Sequence, residues 1–250
     1  MQIIKSFIPV PNLIYKYIKL YKLNRLLKTR ILHLIKNKYP KLKKCNICGW
    51  HGKMFVDRTN CPVCCSLPRH RLIGYILNEV DLSDKDILLI GPDMPEILLF
   101  NKRGINNISI LNIEDTFFTN LVYDITNHQL KTNSFDIIIM WHVLEHIEDD
   151  ILAVNNIYDL LRKNGWVLFS VPIHPLGNKQ THTPTYNNLE EKILQTGHPD
   201  HQRCCGEDYG DRFTEVRFKT KKTIMVRNYR TTEIDKYHLD INHFAWCFTK

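Results

Sequence analysis

The stretch that decides the fold runs from Phe135 to Val171 and reads FDIIIMWHVLEHIEDDILAVNNIYDLLRKNGWVLFSV. Its first part, Phe135 to Trp141, is an apolar run that is too short to span a membrane and has the composition of a buried strand. Its last part, Trp166 to Val171, is a second run of the same kind. A helical pattern lies between the two runs, so the stretch predicts one βαβ unit of a parallel sheet.

The segment between the two runs predicts a helix that begins behind Asp149 or Asp150. Apolar residues recur in it at three- and four-residue spacing, so one face of the helix is expected to be buried. These residues are Ile151, Val154, Ile157, Tyr158 and Leu161. The pair Asn164-Gly165 is expected to end the helix, since glycine tolerates the left-handed turn that follows a helix end.

The chain as a whole predicts an α/β protein with one main domain. Its 250 residues suit a single domain of ordinary size with smaller attachments. Further apolar runs, Ile87 to Ile90 and Ile108 to Ile113, predict strands that alternate with helical patterns. Shifts in composition divide the chain into a basic helical arm at residues 1–44, a cysteine module with a linking helix at 45–80, and the main domain at 81–250.

The excess of positive charge lies in the N-terminal arm. Residues 1–44 contain 12 Lys or Arg and no Asp or Glu, while the whole chain has a formal net charge of +8. Leu13 to Ile35 predicts a basic amphipathic helix. Three interpretations stay open: a helix packed on the main domain with a solvated basic face, contact with an anionic membrane surface, or, less favoured, contact with a nucleic-acid backbone.

Four of the eight cysteines have the spacing of a zinc site. Cys45 and Cys48 form one CxxC pair, Cys61 and Cys64 form another, and such pairs bind zinc through four thiolates in a closed structural site. Cys65 could replace Cys64, but the spacing favours Cys64. The chain does not start like a secretion signal, so we expect a cytoplasmic protein, and the basic arm leaves peripheral membrane contact open.

Several segments resemble class I S-adenosylmethionine (SAM)-dependent methyltransferases of the type 11-like group. FDIIIMWHVLEHIEDD and LLRKNGWVLFSVP are similar to the passage from the fourth to the fifth strand of that fold. CPVCCSLPRHR is similar to the segment that precedes the domain in this group. The resemblance implies a Rossmann-like, doubly wound, mostly parallel sheet that binds SAM. It also implies final antiparallel strands, here expected at Thr223 to Arg227 and Phe244 to Phe248.

The turn after the first strand of the domain occupies the position of the SAM-binding loop in that fold. The resemblance implies that Gly91, Pro92 and Asp93 contact the cofactor. Only Gly91 matches the glycines that let a backbone approach a ligand closely, because Asp93 and Pro95 replace the later ones. Asp93 followed by Glu96 also fits a capping box at the start of a helix.

The same resemblance implies cofactor contacts at the next two strands. An acid at the tip of the second strand would hold the ribose hydroxyls. The tip residue here is Asn112, and Glu114 is the preferred carboxylate. Asp124 resembles the acid that receives the adenine amino group, with Ile125 against the ring, and a turn cap is the alternative for Asp124.

Trp141 and His142 follow the fourth strand at the carboxyl edge of the sheet, where a doubly wound fold binds its ligands. We expect both to contact the cofactor, with His142 beside the methyl group. The H-x-x-E-H pattern of His142, Glu145 and His146 also matches a zinc-peptidase motif, but a peptidase needs an extended helix and a third protein ligand. Glu145 and His146 are interpreted as closing the loop, and a divalent ion near the pair is the minor alternative.

Residues 172–200 predict an irregular segment of the kind that often forms a lid. The segment that follows, HPDHQRCCGEDYGDRF, resembles an Asp-His-x-Arg-x-x-Gly-x-Asp-Tyr-x-x-Arg segment of the same group. The resemblance implies that His201 acts as a base or orienting residue and that Arg203 grips a carboxylate or phosphate at two points. Arg69, His70 and Arg71 are interpreted as a helix start, with contact to an anionic substrate as the alternative.

These expectations combine into a SAM-dependent methyltransferase that modifies an oxygen or nitrogen of a small or glycan-like acceptor. Methyl transfer is an in-line displacement, so the protein mainly aligns the reactants, and a base is needed only when the acceptor must lose a proton early. One rival is a SAM-fold binding module without activity, because the first loop and Asn112 match the family poorly. A second rival is a zinc-ribbon nucleic-acid methyltransferase.

Overall fold

A computed structural model of the chain describes residues 42–57, 59–213 and 216–250, which group into two compact units. The first unit contains the described residues up to 81 together with 93–106 and 229–240, and the second contains 82–92, 107–228 and 241–250. Two segments of the predicted main domain, 93–106 and 229–240, therefore group with the cysteine module. The basic helix predicted at Leu13 to Ile35 lies outside the described residues.

Strands and helices are numbered in chain order. The strands are β1 Lys43–Lys44, β2 His51–Gly52, β3 Ile87–Ile90, β4 Ile108–Asn112, β5 Leu121–Val122, β6 Phe135–Trp141, β7 Leu161–Ser170, β8 Thr220–Met225 and β9 Phe244–Thr249. The α-helices are α1 Pro68–Ile76, α2 Met94–Lys102, α3 Asp150–Leu160, α4 Leu189–Thr196 and α5 Thr231–Tyr237. Short 3-10 helices are Leu77–Glu79, Leu144–His146, Tyr209–Phe213 and Val226–Asn228. Within the described ranges, no helix is both long and apolar enough to cross a membrane.

The second unit is built on a seven-stranded sheet with the order β5-β4-β3-β6-β7-β9-β8. Strands β5, β4, β3, β6 and β7 run parallel, and β9 is antiparallel to both of its neighbours. The chain moves outward from β3 to β4 and β5 and then returns to place β6 beside β3. This is the Rossmann-like, doubly wound, mostly parallel sheet that the sequence predicts, and its strand order reverses between β3 and β6.

The central strands are apolar throughout because they are buried. All four residues of β3 are buried, and so are six of the seven residues of β6. Strands of a parallel sheet that is covered on both faces read as continuous apolar runs, whereas a half-exposed strand would alternate. The same core takes the buried stripe of α3, which includes Val154 and Ile157 as predicted.

Helix α3 begins as predicted and ends earlier. The side chain of Asp149 accepts a hydrogen bond from the amide of Leu152 at 2.9 Å and caps the helix. The helix ends at Leu160, and Asn164 rather than Gly165 takes the left-handed conformation, with φ 65°. The prediction that Gly165 ends the helix in a left-handed turn was therefore wrong. A Cβ atom at that position would lie 2.9 Å from two backbone carbonyl oxygens, so the residue is needed for close approach.

Two further predictions about the second unit need correction. Residues 172–200 are not irregular throughout, since they contain α4, which is capped by Asn188 and ends at Gly197 with φ 85°. The first of the two final strands, expected at Thr223 to Arg227, begins earlier and runs over Thr220–Met225. The last strand, expected at Phe244 to Phe248, extends to Thr249. The antiparallel pairing of these two strands is confirmed.

The first unit is organised around the buried side chain of Arg71. Its guanidinium lies 3.9 Å above the ring of Phe55. It also donates hydrogen bonds to the backbone carbonyls of Thr59, Ser66, Tyr237 and His238. Burial lowers the pKa of Arg71 to about 10, and the nearby cysteine thiolates offset part of this lowering. Arg71 thus ties α5 to the cysteine module, and its donors are committed to the protein interior.

Candidate active site

A cavity of about 920 Å³ lies at the carboxyl ends of β3, β4 and β6 in the second unit. The strand order reverses between β3 and β6, and doubly wound sheets bind ligands in the crevice at such a switch point. A volume of this size is in the range of small-molecule sites. Among its lining residues are Gly91, Asn112, Asp124, Ile125, His142, His146, Glu148, Asp149, Asp150 and Arg212.

Gly91 ends β3 in a conformation that suits glycine. Its φ is +57°, and a Cβ atom at this position would lie 2.9 Å from a methyl carbon of Val143. Both features require a residue without a side chain. Gly91 therefore passes close to the loop that follows β6, and it also lines the cavity.

The tip of β4 presents Asn112 to the cavity and not Glu114. The side-chain oxygen of Asn112 accepts a hydrogen bond from the next backbone amide at 3.0 Å, while its residue lines the cavity. Glu114 is exposed and is not among the lining residues. The preferred ribose carboxylate of the sequence prediction is thus displaced from the cavity, and the neutral amide occupies the expected position.

Asp124 caps a turn, which is one of its two predicted roles, and it also lines the cavity. Its Oδ1 accepts hydrogen bonds from the amide and the hydroxyl of Thr126, each at 2.8 Å, so it does cap a turn. The residue is exposed and lines the cavity, which leaves Oδ2 for a ligand donor. The adjacent Ile125 is 3% exposed and lines the same wall. A carboxylate oxygen beside a buried aliphatic side chain suits a flat, amine-bearing ring.

His142 lies at the cavity immediately after β6 in an unusual backbone conformation. Its φ is +57°, a left-handed value that costs a non-glycine residue about 1–2 kcal/mol. Its Nδ1 lies 3.5 Å from Oε1 of Glu145, which is 1% exposed. Such strain persists where the surrounding structure requires it, and it clusters at functional sites. Here the strained turn directs the residue after the central strand to the cavity wall.

Trp141 lies behind the cavity and not on its surface. Its side chain is 3% exposed and stacks on the ring of His243, with centroids 5.8 Å apart and planes 6° apart. Its indole N–H has no hydrogen-bond partner in the described part of the chain. His243 in turn lies 2.7 Å from the hydroxyl of Ser170. Trp141 therefore supports the wall that carries His142.

His201 and Arg203 are buried and are not among the lining residues. His201 Nδ1 donates to the carbonyl of Thr196 at 2.8 Å. Arg203 donates to the carbonyls of Leu144 and Glu148 at 3.0 and 2.7 Å. The Arg203 guanidinium thus has internal partners, whereas the resemblance implied that it would grip a carboxylate or phosphate of the acceptor.

Arg212 is the arginine that reaches the cavity. Its guanidinium donates to Oδ2 of Asp150 at 3.1 Å and to Oδ1 at 2.9 Å. The hydroxyl of Tyr209 donates to the same carboxylate at 2.8 Å, and Arg203 completes the network. The sequence predicts no role for Arg212, although this residue lies in the segment HPDHQRCCGEDYGDRF. That segment is therefore connected to the cavity through Asp150.

Asp93 belongs to the first unit and holds protein groups. Its carboxylate lies 2.9 Å from Nε2 of His70 and 2.8 Å from the guanidinium of Arg69. These two hydrogen bonds, the one from His70 foremost, lower the pKa of Asp93 to about 2. The predicted capping box is absent, because the Asp93 side chain makes no capping hydrogen bond to α2 and Glu96 is buried. Neither Pro92 nor Asp93 is among the lining residues of the cavity.

The four cysteines of the first unit converge as a metal site would require. One ligand atom from each of Cys45, Cys48, Cys61 and Cys64 lies within 4.8 Å of the others. The Sγ atoms of Cys45 and Cys64 are 3.6 Å apart, and those of Cys48 and Cys61 are 3.5 Å apart. Tetrahedral zinc–thiolate geometry places sulfur atoms roughly 3.8 Å apart, so the donor set fits zinc. Cys65 is outside the group and turns the chain with φ 61°.

Comparison with known protein families gives one match to this chain. The family described as "Methyltransferase domain" matches residues 79–208, which is just over half of the chain. The matched residues include β3 to β7, the strained turn at His142 and the segment with His201 and Arg203. A comparison with curated proteins gives no match.

Two solved structures are similar to this chain at low sequence identity. A SAM-dependent methyltransferase from Mesorhizobium loti superposes with a TM-score of 0.52 at 10% identity, covering 72% of this chain and 98% of that one. A SAM-dependent methyltransferase from Archaeoglobus fulgidus gives a TM-score of 0.49 at 15% identity, covering 72% of this chain and 94% of that one. At such identities the likeness to the first of these concerns the fold alone.

Proposed function

The chain belongs to this family of methyltransferase domains, and on that premise we propose that it binds SAM and transfers a methyl group to an oxygen or nitrogen of a small or glycan-like acceptor. The observation that carries the proposal is the convergence of Gly91, Asn112, Asp124 and His142 on one cavity. These residues lie at or just beyond the carboxyl ends of four different strands of the sheet. Their convergence at the switch point is what a nucleotide-like cofactor requires.

The residues present fit the parts of SAM. Asp124 has a carboxylate oxygen available for the adenine amino group, and Ile125 offers an apolar surface to the ring. Asn112 can hydrogen-bond the ribose hydroxyls without a charge. Gly91 leaves room for close approach of the methionine part. When bound, SAM supplies an electrophilic methyl group on a sulfonium centre.

His142 is the residue best placed to handle the acceptor. The Glu145 carboxylate lies 3.5 Å from its Nδ1, and a carboxylate there favours a proton on that nitrogen. The carboxylate thereby orients the imidazole of His142, which lies at the cavity wall. The buried sheet edge and the network around Asp150 hold the surrounding walls in place, so the protein's main contribution is alignment.

A hydroxyl-rich acceptor suits the rest of the cavity. Its wall carries the exposed acidic residues Glu148 and Asp149 together with the guanidinium of Arg212. Carboxylates accept hydrogen bonds and arginine donates them, so the wall can bind several hydroxyl groups at once. This polarity supports a small polar or glycan-like acceptor over an apolar one.

We also propose that the four cysteines of the first unit bind a structural zinc ion. The sulfur separations and the closed set of four thiolates support it. The donor set leaves no open position, so this zinc would stabilise the unit without taking part in transfer.

Calorimetric titration with SAM and with its demethylated product S-adenosylhomocysteine tests the cofactor assignment. We expect one molecule of either compound to bind per chain. Failure of both compounds to bind would contradict the proposal and favour the rival, a methyltransferase-like module without activity. Incubation with radiolabelled SAM and a cell extract, followed by identification of the labelled molecule, tests the acceptor class. Label on a nucleic acid or a protein would contradict a small or glycan-like acceptor.

A further inference from the structure

Three histidines of the second unit form a compact cluster, which we call the three-histidine cluster: His146, His198 and His201. One ring nitrogen of each lies within 4.8 Å of the others. The ring centroids of His146 and His201 are 4.8 Å apart, those of His198 and His201 are 5.1 Å apart, and those of His146 and His198 are 5.8 Å apart. The cluster joins the loop after β6 to the segment after α4.

His201 is held in the orientation and tautomer of a metal ligand. Its Nδ1 faces the carbonyl oxygen of Thr196 at 2.8 Å, so that nitrogen must carry a proton. Nε2 therefore presents a lone pair. Histidine ligands in metal sites usually donate their second ring N–H to a carbonyl or carboxylate in this way.

Neutral imidazole is the form of histidine that binds a metal ion, and three such rings can hold one divalent cation.

A buried carboxyl group lies next to the cluster. Oε1 of Glu145 is 4.0 Å from Nε2 of His201, and the Glu145 side chain is 1% exposed. A buried carboxylate at this distance favours a cation between the rings. It also links the cluster to His142, whose Nδ1 lies 3.5 Å from the same oxygen.

We propose that the three-histidine cluster binds a divalent transition-metal ion, of the class of Zn²⁺, Fe²⁺ or Ni²⁺, at the edge of the cavity. Imidazole nitrogens suit these ions, and three protein ligands leave at least one coordination position open. Tetrahedral zinc places its nitrogen ligands roughly 3.3 Å apart, so the ion draws the rings together. His146 and His198 are exposed, so their rings can rotate toward the ion.

The open position would serve the acceptor. His146 lines the cavity, so an ion bound there lies at its wall. A divalent ion binds hydroxyl or carboxylate oxygens and lowers the pKa of a bound hydroxyl. The action of the ion on the acceptor rests on the proposed methyl transfer, whereas binding of the ion itself does not.

Calorimetric titration of Zn²⁺ into the full chain, with its cysteine site already filled with zinc, tests the proposal. We expect one further equivalent to bind. His198→Ala should weaken this binding at least about tenfold, since loss of even a supporting residue costs that much. His182→Ala is the matched control, because this exposed histidine lies in the same segment and outside the cluster.

Ring-nitrogen NMR signals identify the ligands directly. Zn²⁺ should shift the signals of the three-histidine cluster and leave that of His182 in place. Absence of a further zinc equivalent, or equal affinity in His198→Ala, would overturn the proposal. SAM titration without added Zn²⁺ keeps the two proposals apart. SAM binding without zinc binding would leave the proposed function standing and remove the metal site.

Discussion

Arg203 and Asp150 form a buried ion pair, with Nη1 of the arginine 3.1 Å from Oδ2 of the aspartate and their side chains 3% and 2% exposed. The same guanidinium donates to the carbonyls of Leu144 and Glu148, the residues that flank Glu145 and His146. Asp150 is the first residue of α3 and lines the cavity. The pair therefore fixes the loop after β6 against the segment that carries His201.

Replacing Arg203 by methionine should destabilise the protein by about 3 kcal/mol, because it removes one partner of a buried ion pair. Two backbone carbonyls would also lose their donors. Urea unfolding of the variant and the parent measures the difference. Arg217→Met is the control, since its ion pair with Asp159 is exposed and should contribute less than about 1 kcal/mol. Equal losses in the two variants would show that burial of the Arg203 pair has no consequence.

Gly91→Ala should cost more stability than Gly104→Ala. Both glycines have positive φ, +57° and +70°, so alanine costs each about 1–2 kcal/mol. Only at Gly91 does the added carbon meet another atom, a methyl of Val143 at 2.9 Å, and such overpacking adds about 1–3 kcal/mol. Chemical denaturation of both variants measures the loss of unfolding free energy. An equal loss in the two variants would mean that the loop at Gly91 moves to make room for the added carbon.

Asp124→Asn should weaken SAM binding about 10- to 100-fold, the worth of a hydrogen bond to a charged group. Asparagine keeps Oδ1, which accepts from Thr126, and replaces the other oxygen by an amino group that cannot accept from adenine. Calorimetry with SAM measures the loss. Glu114→Gln is the control, since Glu114 is exposed and does not line the cavity. A larger loss of SAM affinity in Glu114→Gln than in Asp124→Asn would indicate that Glu114 binds the ribose hydroxyls.

Cys64→Ser should remove one tightly bound zinc equivalent and lower the midpoint of thermal unfolding, because a structural zinc site contributes folding free energy. Metal analysis after dialysis, together with thermal unfolding, measures both. Cys65→Ser is the matched control, since the adjacent thiol lies outside the cluster. If Cys65→Ser lost zinc and Cys64→Ser retained it, Cys65 and not Cys64 would be the fourth zinc ligand.

Glu96→Gln should stabilise the protein increasingly as the pH rises from 5 to 8. Burial raises the pKa of Glu96 well above its ordinary 4.5. Above that value the unfolded chain releases its proton while the folded chain keeps it, so stability falls with rising pH until the folded group also ionises. Glutamine has no proton to release, and the gain can reach about 1.4 kcal/mol per pH unit.

Urea unfolding of Glu96→Gln at pH 5 and pH 8 provides the measurement. Glu190→Gln replaces an exposed carboxylate in the first turn of α4 and serves as the control. Its effect on stability should be small and similar at the two pH values. A Glu96→Gln variant whose effect is equally independent of pH would show that Glu96 is ionised in the folded protein.

The doubly wound sheet could be predicted from the sequence because buried parallel strands are continuous apolar runs. Phe135 to Trp141 reads as one apolar run since the sheet covers it on both faces. Asp149 predicts the start of α3 because capping acts over three residues. The end of the same helix was mispredicted, since the need for Gly165 comes from two backbone carbonyls that only the folded chain brings near.

The site was predicted in part for the same reason. Gly91, Asn112, Asp124 and His142 follow strands whose order fixes where their ends meet, and the structure brings them to one cavity. Asp93 lies in the predicted loop, but its carboxylate is held by Arg69 and His70. This pairing could not be predicted from a local pattern, because Arg69 and His70 belong to a helix more than twenty residues earlier.

The sequence by itself determined the alternation of strands and helices, the strand edge that carries the cavity and the cysteine pairs, because each depends on short-range spacing and on burial of continuous apolar runs. Only the tertiary structure decided that Arg203 turns inward while Arg212 reaches the cavity, and that His146, His198 and His201 meet. Those outcomes depend on which distant backbone carbonyls and carboxylates satisfy each buried charge. Such long-range electrostatic pairing has no periodicity along the chain.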